Sequence, residues 1–210
     1  MKILEDVAQK AHKHKQKQDW LQKNGHELIR VPLPIGDYVK VTDRVQNVLD
    51  RRGNKLKKMD LLGVTEMTID TKQDLTEVVN NICGKSHARF RDEAILAQEN
   101  GIRFVVLVEH SRYIKTLEDV KSWKNPRQFQ YERKIRKEWG IPRGADFEIE
   151  VAELKRNGIK INRGPTRGEE LYKAMQTMAE KYDVIWAFCD KAETGHKIVE
   201  LLRGEKYEWL

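Results

Sequence analysis

Apolar residues recur along this chain with two different periods, and the switches between them divide it into elements. Residues 2–6, KILED, predict a short strand. KHKQKQDWLQKNG (13–25) predicts a helix that stops at Gly25. HELIRVPLPIGDYVKV (26–41) predicts two strand segments around a Pro-Ile-Gly turn. TDRVQNVLDRRGNKLKKMDLLG (42–63) predicts a helix followed by a basic loop. EMTID (66–70) alternates like a strand, and helices are predicted over about 74–83 and 87–100. IRFVVLVEH (102–110) is a continuous apolar run after Gly101, as a strand buried on both faces requires.

Residues 116–167 are less regular. TLEDVKSW (116–123) opens like a capped helix, with Asp119 three residues after Thr116. RQFQYERKIRKEWG (127–140) predicts a basic helix ending before Gly140 and Pro142. FEIEVAEL (147–154) alternates and predicts a strand, and INRGPTRG (161–168) a loop. A clear pattern then returns: the amphipathic helix EELYKAMQTMAEKY (169–182), the buried strand VIWAF (184–188) and the final helix KAETGHKIVELLRG (191–204). There is no internal repeat. The order predicts an α/β fold with a mixed central sheet flanked by helices.

Composition adds constraints. The chain has 210 residues, 39% of them hydrophobic, which suits one domain with a sizeable core. No apolar run approaches a bilayer span and no signal-peptide core is present, so no membrane role and a cytoplasmic location are expected. Cys83 and Cys189 lack metal-ligand spacing and are expected to be reduced core residues. The net charge is +7, unevenly spread: +6 over residues 1–63 and +5 over 116–167, against −1 over 64–115 and −3 over 168–210. Two basic segments flanking an acidic one suit an enzyme acting on a polyphosphate, although lysine-rich solvated surface gives the same balance.

The candidate chemistry lies in the acidic segment. Side chains two apart on a strand share a face, so Asp70 and Lys72 point the same way. Asp37 begins another predicted strand and Asp6 ends the first. Three acids at strand ends with one lysine suit a hard divalent ion such as Mg²⁺, held through oxygen and keeping several waters. Such an ion lowers the pKa of its water and neutralises developing phosphate charge, while a lysine orients the water or stabilises the pentavalent phosphate. Asp-x-Lys alone, or Gly-Asp alone, is common surface or turn chemistry.

Taken together, LPIGDYV, TIDTKQDLTEVVNNI, ARFRDE and VVLVEH resemble the nuclease domain of the XPF-type structure-specific endonucleases, of the PD-(D/E)XK nuclease superfamily. Gly36 and Asp37 match the family's Gly-Asp, and Asp70, Thr71 and Lys72 stand where it has Glu-Arg-Lys. Arg89, Phe90 and Glu93 match its Arg-Tyr-x-x-Gln helix, and Glu109 ends the following strand as in the family. Asp6 and Gln9 match the first strand end, where Ala8 replaces an arginine. The resemblance covers about 1–115 and 168–203 and is closest in layout to compact phage-borne relatives. It implies a restriction-endonuclease-like nuclease core spanning 1–210, with a basic insertion at about 116–167. No helix-hairpin-helix module follows, so DNA targeting is expected to come from elsewhere.

The resemblance implies a metal-dependent DNA endonuclease, acting on branched or structured DNA in repair or recombination, in a host cytoplasm if phage-encoded. Asp37, Asp70 and Lys72 would be catalytic, with Mg²⁺ or Mn²⁺ on Asp37 and Asp70 and Asp6 as an accessory acid. The alternative is a catalytically inactive DNA-binding or scaffolding module that retains the fold. The family often pairs its nuclease domains, so a homodimer is among the expected assemblies. Lys55, Lys57 and Lys58 form a phosphate-tracking loop or a solvated one. His87, beside Arg89 and Arg91, contacts phosphate or is plain helix surface. His12 and His14 read as a charged loop or phosphate-contacting arm, with a metal site as the lesser alternative. Trp123, Trp139 and Trp186 read as core or partly buried, with base stacking by Trp123 or Trp139 the alternative. Glu109, ending a buried strand near the candidate site, reads as a satisfied structural acid, with an acid that supports the site from behind as the alternative.

Overall fold

The apolar run after Gly101 becomes strand β5 (Arg103–Glu109), and every residue of it beyond Arg103 is buried. The computed structural model describes residues 1–9, 15–110 and 113–204; His12 and His14 lie outside them. Around β5 stand β1 (Lys2–Asp6), β2 (Glu27–Val31), β3 (Tyr38–Lys40), β4 (Met67–Lys72) and β6 (Ile185–Cys189). They form one sheet in the order β2-β1-β3-β4-β5-β6. Strand β3 is antiparallel to both neighbours, and the other pairings are parallel. The start of β3 therefore lies at the same end as the carboxyl ends of β1, β4 and β5, where open α/β sheets hold their ligands.

Helices cover both faces. On one, Phe104, Val106 and Val108 of β5 pack with Val78 of α3 (Leu75–Ile82), Phe90 of α4 (His87–Glu99) and Met175 of α7 (Gly168–Tyr182). On the other, Val105 and Leu107 pack with Leu21 of α1 (Lys15–Lys23) and with Ile198 and Leu202 of α8 (Thr194–Arg203). Leu4 and Val39 rest on Val45 and Val48 of α2 (Asp43–Arg52). This is the expected mixed α/β sheet between helices. Among the described residues no helix is long and apolar enough to cross a membrane.

Several elements depart from expectation. FEIEVAEL is helical, within α6 (Phe147–Arg156), which follows the basic helix α5 (Pro126–Trp139). Asp146 caps it by accepting from the backbone N–H groups of Glu148 and Ile149. Phe147 and Val151, four residues apart, are buried while Ile149 is 60% exposed, so the alternation is half of a helical stripe. TLEDVKSW forms its reciprocal bonds between Thr116 and Asp119 but yields a 3₁₀ turn over Glu118–Ser122. The basic loop after α2 folds into two 3₁₀ turns, Gly53–Lys55 and Lys58–Val64. Both cysteines are free; Cys189 is buried as expected, but Cys83, at the C-terminal end of α3, is exposed. Trp123 and Trp186 are buried and Trp139 is 39% exposed.

Candidate active site

Strand β4 extends two residues past the predicted EMTID, so Asp70 and Lys72 both lie within it. The β4–β5 register sets Asp70 beside Val106 and Lys72 beside Val108, whose side chains belong to the α3/α4 face. Thr71 points to the opposite face, toward α1. Lys72 Nζ lies 2.6 Å from Asp70 Oδ2, with both side chains buried. Oδ2 is thus ion-paired with the Lys72 ammonium, which favours its charged form. The Lys72 amine also stands 5.8 Å from the centre of the Phe90 ring.

Asp37 reaches the same place by a backbone device. The turn before β3 presses flat on β4: the Asp37 N–H donates to Ile69 O at 2.7 Å, and Thr68 Oγ1 donates to Ile35 O at 2.8 Å. Gly36 has φ +68°, and a Cβ there would stand 2.4 Å from Thr68 Oγ1, so both the backbone sign and the space call for glycine. Asp37 Oδ2 then accepts the Thr71 N–H at 2.8 Å and the Thr71 hydroxyl at 2.6 Å. These bonds fix the carboxylate and leave Oδ1 without a partner among the described residues.

A cleft of about 490 Å³ opens here. Asp6, Asp37, Asp70 and Lys72 line it, joined by Lys58, Arg89 and Glu93. Burial pushes the Asp70 carboxyl up to about 7; Lys72 opposes this, and Asp37 adds to it. Burial also raises Glu93 above the usual carboxylate range, against the pull of Arg89 and Lys72. Burial draws Lys72 down, but Asp70 more than offsets it and leaves the amine raised. Near neutral pH the cleft thus holds a carboxyl poised to gain or lose a proton, beside a firmly charged amine.

The donor set suits Mg²⁺ or Mn²⁺ bound through two carboxylates, since such ions keep waters and take substrate oxygens at the remaining positions. Asp37 Oδ1, left over by the Thr71 bonds, and the Asp70 carboxylate beside it are the groups that fit. Asp6 lines the cleft too, but its Oδ1 accepts the Leu33 N–H at 3.1 Å. Among the described residues no group of three or more His, Cys, Asp or Glu converges on a point that could hold a metal. Asp6, Asp37 and Asp70 are therefore not one preformed three-ligand set.

Of the expected nucleic-acid contacts, Lys58 and Arg89 reach the cleft. Lys55 and Lys57 are exposed on the turns after α2, and His87 is exposed at the start of α4. None of the three lines the cleft, and Arg91 instead pairs with Asp92 at 3.0 Å.

The residue that sequence reasoning missed is Lys17. Its amine donates to Thr71 Oγ1 at 2.8 Å and to Glu109 Oε1 at 3.1 Å, with the Lys17 and Glu109 side chains each 5% exposed. Glu109 is thus satisfied by Lys17, and through Lys17 and Thr71 it stands behind Asp37. Thr71, in place of the arginine of the resembling family, joins Lys17 to Asp37. The sequence signal was the helical face: Lys17 and Leu21, four apart, are both buried.

No protein-family model and no curated protein sequence matches the chain. Among solved structures the fold is similar to that of XPF from Aeropyrum pernix, with a TM-score of 0.50 at 15% identity. The match covers 97% of this chain and 66% of that one, so the chain spans just under two thirds of its neighbour's length. The likeness is one of fold: the chain has an XPF-like fold.

Proposed function

We propose that the chain is a metal-dependent endonuclease of branched or otherwise structured DNA, on a PD-(D/E)XK core spanning 1–210 with residues 116–167 as an insertion. The observation that carries this reading is the cleft, where the separately positioned Asp37 and Asp70 meet with Lys72 beside them. A bound Mg²⁺ or Mn²⁺ supplies Lewis acidity at the scissile phosphate and lowers the pKa of its water. Asp37 and Asp70 would hold that ion, with Asp6 an accessory acid at the cleft wall. Lys72 orients the attacking water or meets the charge growing on the phosphate. Thr71 keeps Asp37 aimed by donating to Oδ2, and Lys17 holds the Thr71 hydroxyl from behind. Lys58 and Arg89 meet neighbouring phosphates without reading sequence.

A catalytically inactive DNA-binding or scaffolding module is the second reading. It is favoured by the lack, among the described residues, of a three-carboxylate ligand set. A panel of forks, flaps, four-way junctions and linear duplex, incubated with Mg²⁺, separates the two. The nuclease reading expects cleavage of at least one branched substrate, lost in Asp70→Asn and in Lys72→Ala. Wild-type cutting by either variant overturns the site assignment; binding without cutting under every condition favours the second reading.

A further inference from the structure

The helices α5 and α6 have their own small core of Ile135, Ile141, Phe147 and Val151. Outside that core, Phe129, Arg133 and Lys137 follow one another at four-residue steps along one face of α5. Opposite them runs the segment that turns back after Gly140, carrying Ile141 and Arg143. Together these enclose a groove of about 790 Å³ that shares no residue with the cleft.

The groove is preformed. Arg136 ties its two walls, donating to Pro142 O at 2.7 Å and to Ala145 O at 3.2 Å, with its guanidinium 5.2 Å from the centre of the Phe147 ring. Arg136 is thereby occupied. The side chains of Arg133, Lys137 and Arg143 are exposed, and among the described residues they make no hydrogen bond or ion pair. Glu132 brings an acid to the lining and accepts from Gln128 at 3.4 Å. Phe129 is 72% exposed, an aromatic ring left in water beside unpaired cations.

We infer that this groove binds an unpaired strand of DNA, with Phe129 stacked on a base and Arg133, Lys137 and Arg143 against the phosphates. The inference rests on reading the chain as acting on DNA, and it gives an unpaired strand of that DNA a second contact outside the cleft. Charge complementarity favours a polyanion, and the free ring favours one that carries π-faces. A base inside a duplex offers its faces to its neighbours, so the ring selects an unpaired strand. From Phe129 to Lys137 the helix rises about 12 Å, room for a short run of nucleotides along its face. An acidic peptide would satisfy the cations and leave the ring without its partner.

The test is fluorescence anisotropy of the full chain with labelled oligo(dT) and with an abasic oligonucleotide of equal length, in EDTA so that no cleavage intervenes. Phe129→Ala is expected to weaken oligo(dT) binding about five- to hundredfold and to leave abasic binding nearly unchanged. The triple variant Arg133→Ala/Lys137→Ala/Arg143→Ala is expected to lower the salt slope by about 2. All four side chains are exposed, so melting temperatures should match wild type. Wild-type oligo(dT) affinity in Phe129→Ala, or equal losses on both oligonucleotides, overturns the inference. So does an acidic peptide of equal charge that competes as well as oligo(dT), which would assign the groove to a protein partner. Absence of nuclease activity alongside the expected anisotropy would fail the catalytic reading and leave this one standing.

Discussion

Replacing Lys17 by methionine keeps an unbranched side chain of similar reach and removes its charge. The Glu109 carboxylate, 3.1 Å from the amine and 5% exposed, is then buried without a cation. Breaking a buried ion pair by deleting one partner costs about 3–5 kcal/mol. Loss of the 2.8 Å bond to Thr71 adds about 1 kcal/mol, and the apolar methionine recovers a similar amount. The expected net loss is about 3–5 kcal/mol, a large share of a typical domain's stability. Glu109→Gln in the same chain removes the stranded charge, so the double variant should recover about 2–3 kcal/mol as coupling energy. Urea unfolding followed by tryptophan fluorescence measures all four corners of the cycle, with Trp123 and Trp186 as buried reporters. The same substitution loosens Thr71 behind Asp37 and should weaken Mn²⁺ binding about tenfold. A single-variant cost below about 1 kcal/mol, or an additive cycle, would refute the claim that Lys17 and Glu109 form a coupled buried pair.

Three further outcomes are expected. In metal-free protein the Asp70 carboxyl titrates near 7, above its unfolded value of about 3.9, so the unfolded chain loses that proton first and stability falls as pH rises from about 4 to 7. The raised Lys72 contributes evenly across that window, so Asp70→Asn should flatten the decline, worth about 4 kcal/mol at most; urea midpoints at several pH values check it, and identical slopes in both proteins would count against the buried acid. Gly36→Ala forces a side chain into a left-handed turn and into Thr68 Oγ1, and should cost at least about 1–3 kcal/mol in thermal unfolding; an unchanged melting temperature would show that the turn gives way freely. Alanine at Lys55, Lys57 and Lys58 should weaken DNA binding broadly and lower the salt slope by about one unit or less per lost contact, with an unchanged slope returning the loop to ordinary surface.

What could be read from the sequence was what local pattern encodes. The run IRFVVLVEH fixed a strand buried on both sides, and the two-residue spacing of Asp70 and Lys72 put them on one face. The Gly-Asp turn was legible as a motif, but its reason, Gly36 lying flat on β4, is a tertiary fact. Residues 147–154 misled because Phe147, Ile149 and Val151 alternate while Asp146 caps a helix that leaves Ile149 in solvent. Lys17 was hidden in a lysine-rich stretch, and its partner Glu109 is 92 residues away. Cys83 was expected inside from residue type, but its place at the end of α3 leaves it exposed.

The central claim is that Asp37 and Asp70 together hold a divalent ion in the cleft. Calorimetric titration of the purified chain with Mn²⁺, with and without DNA, tests it most directly. Saturable binding is expected, with most of it lost in Asp37→Ala, and with a gain in unfolding stability of about 2.7 kcal/mol at a hundred times the dissociation constant. Absence of Mn²⁺ binding at millimolar metal, with DNA and without, would contradict the account and leave a DNA-binding scaffold on a nuclease fold.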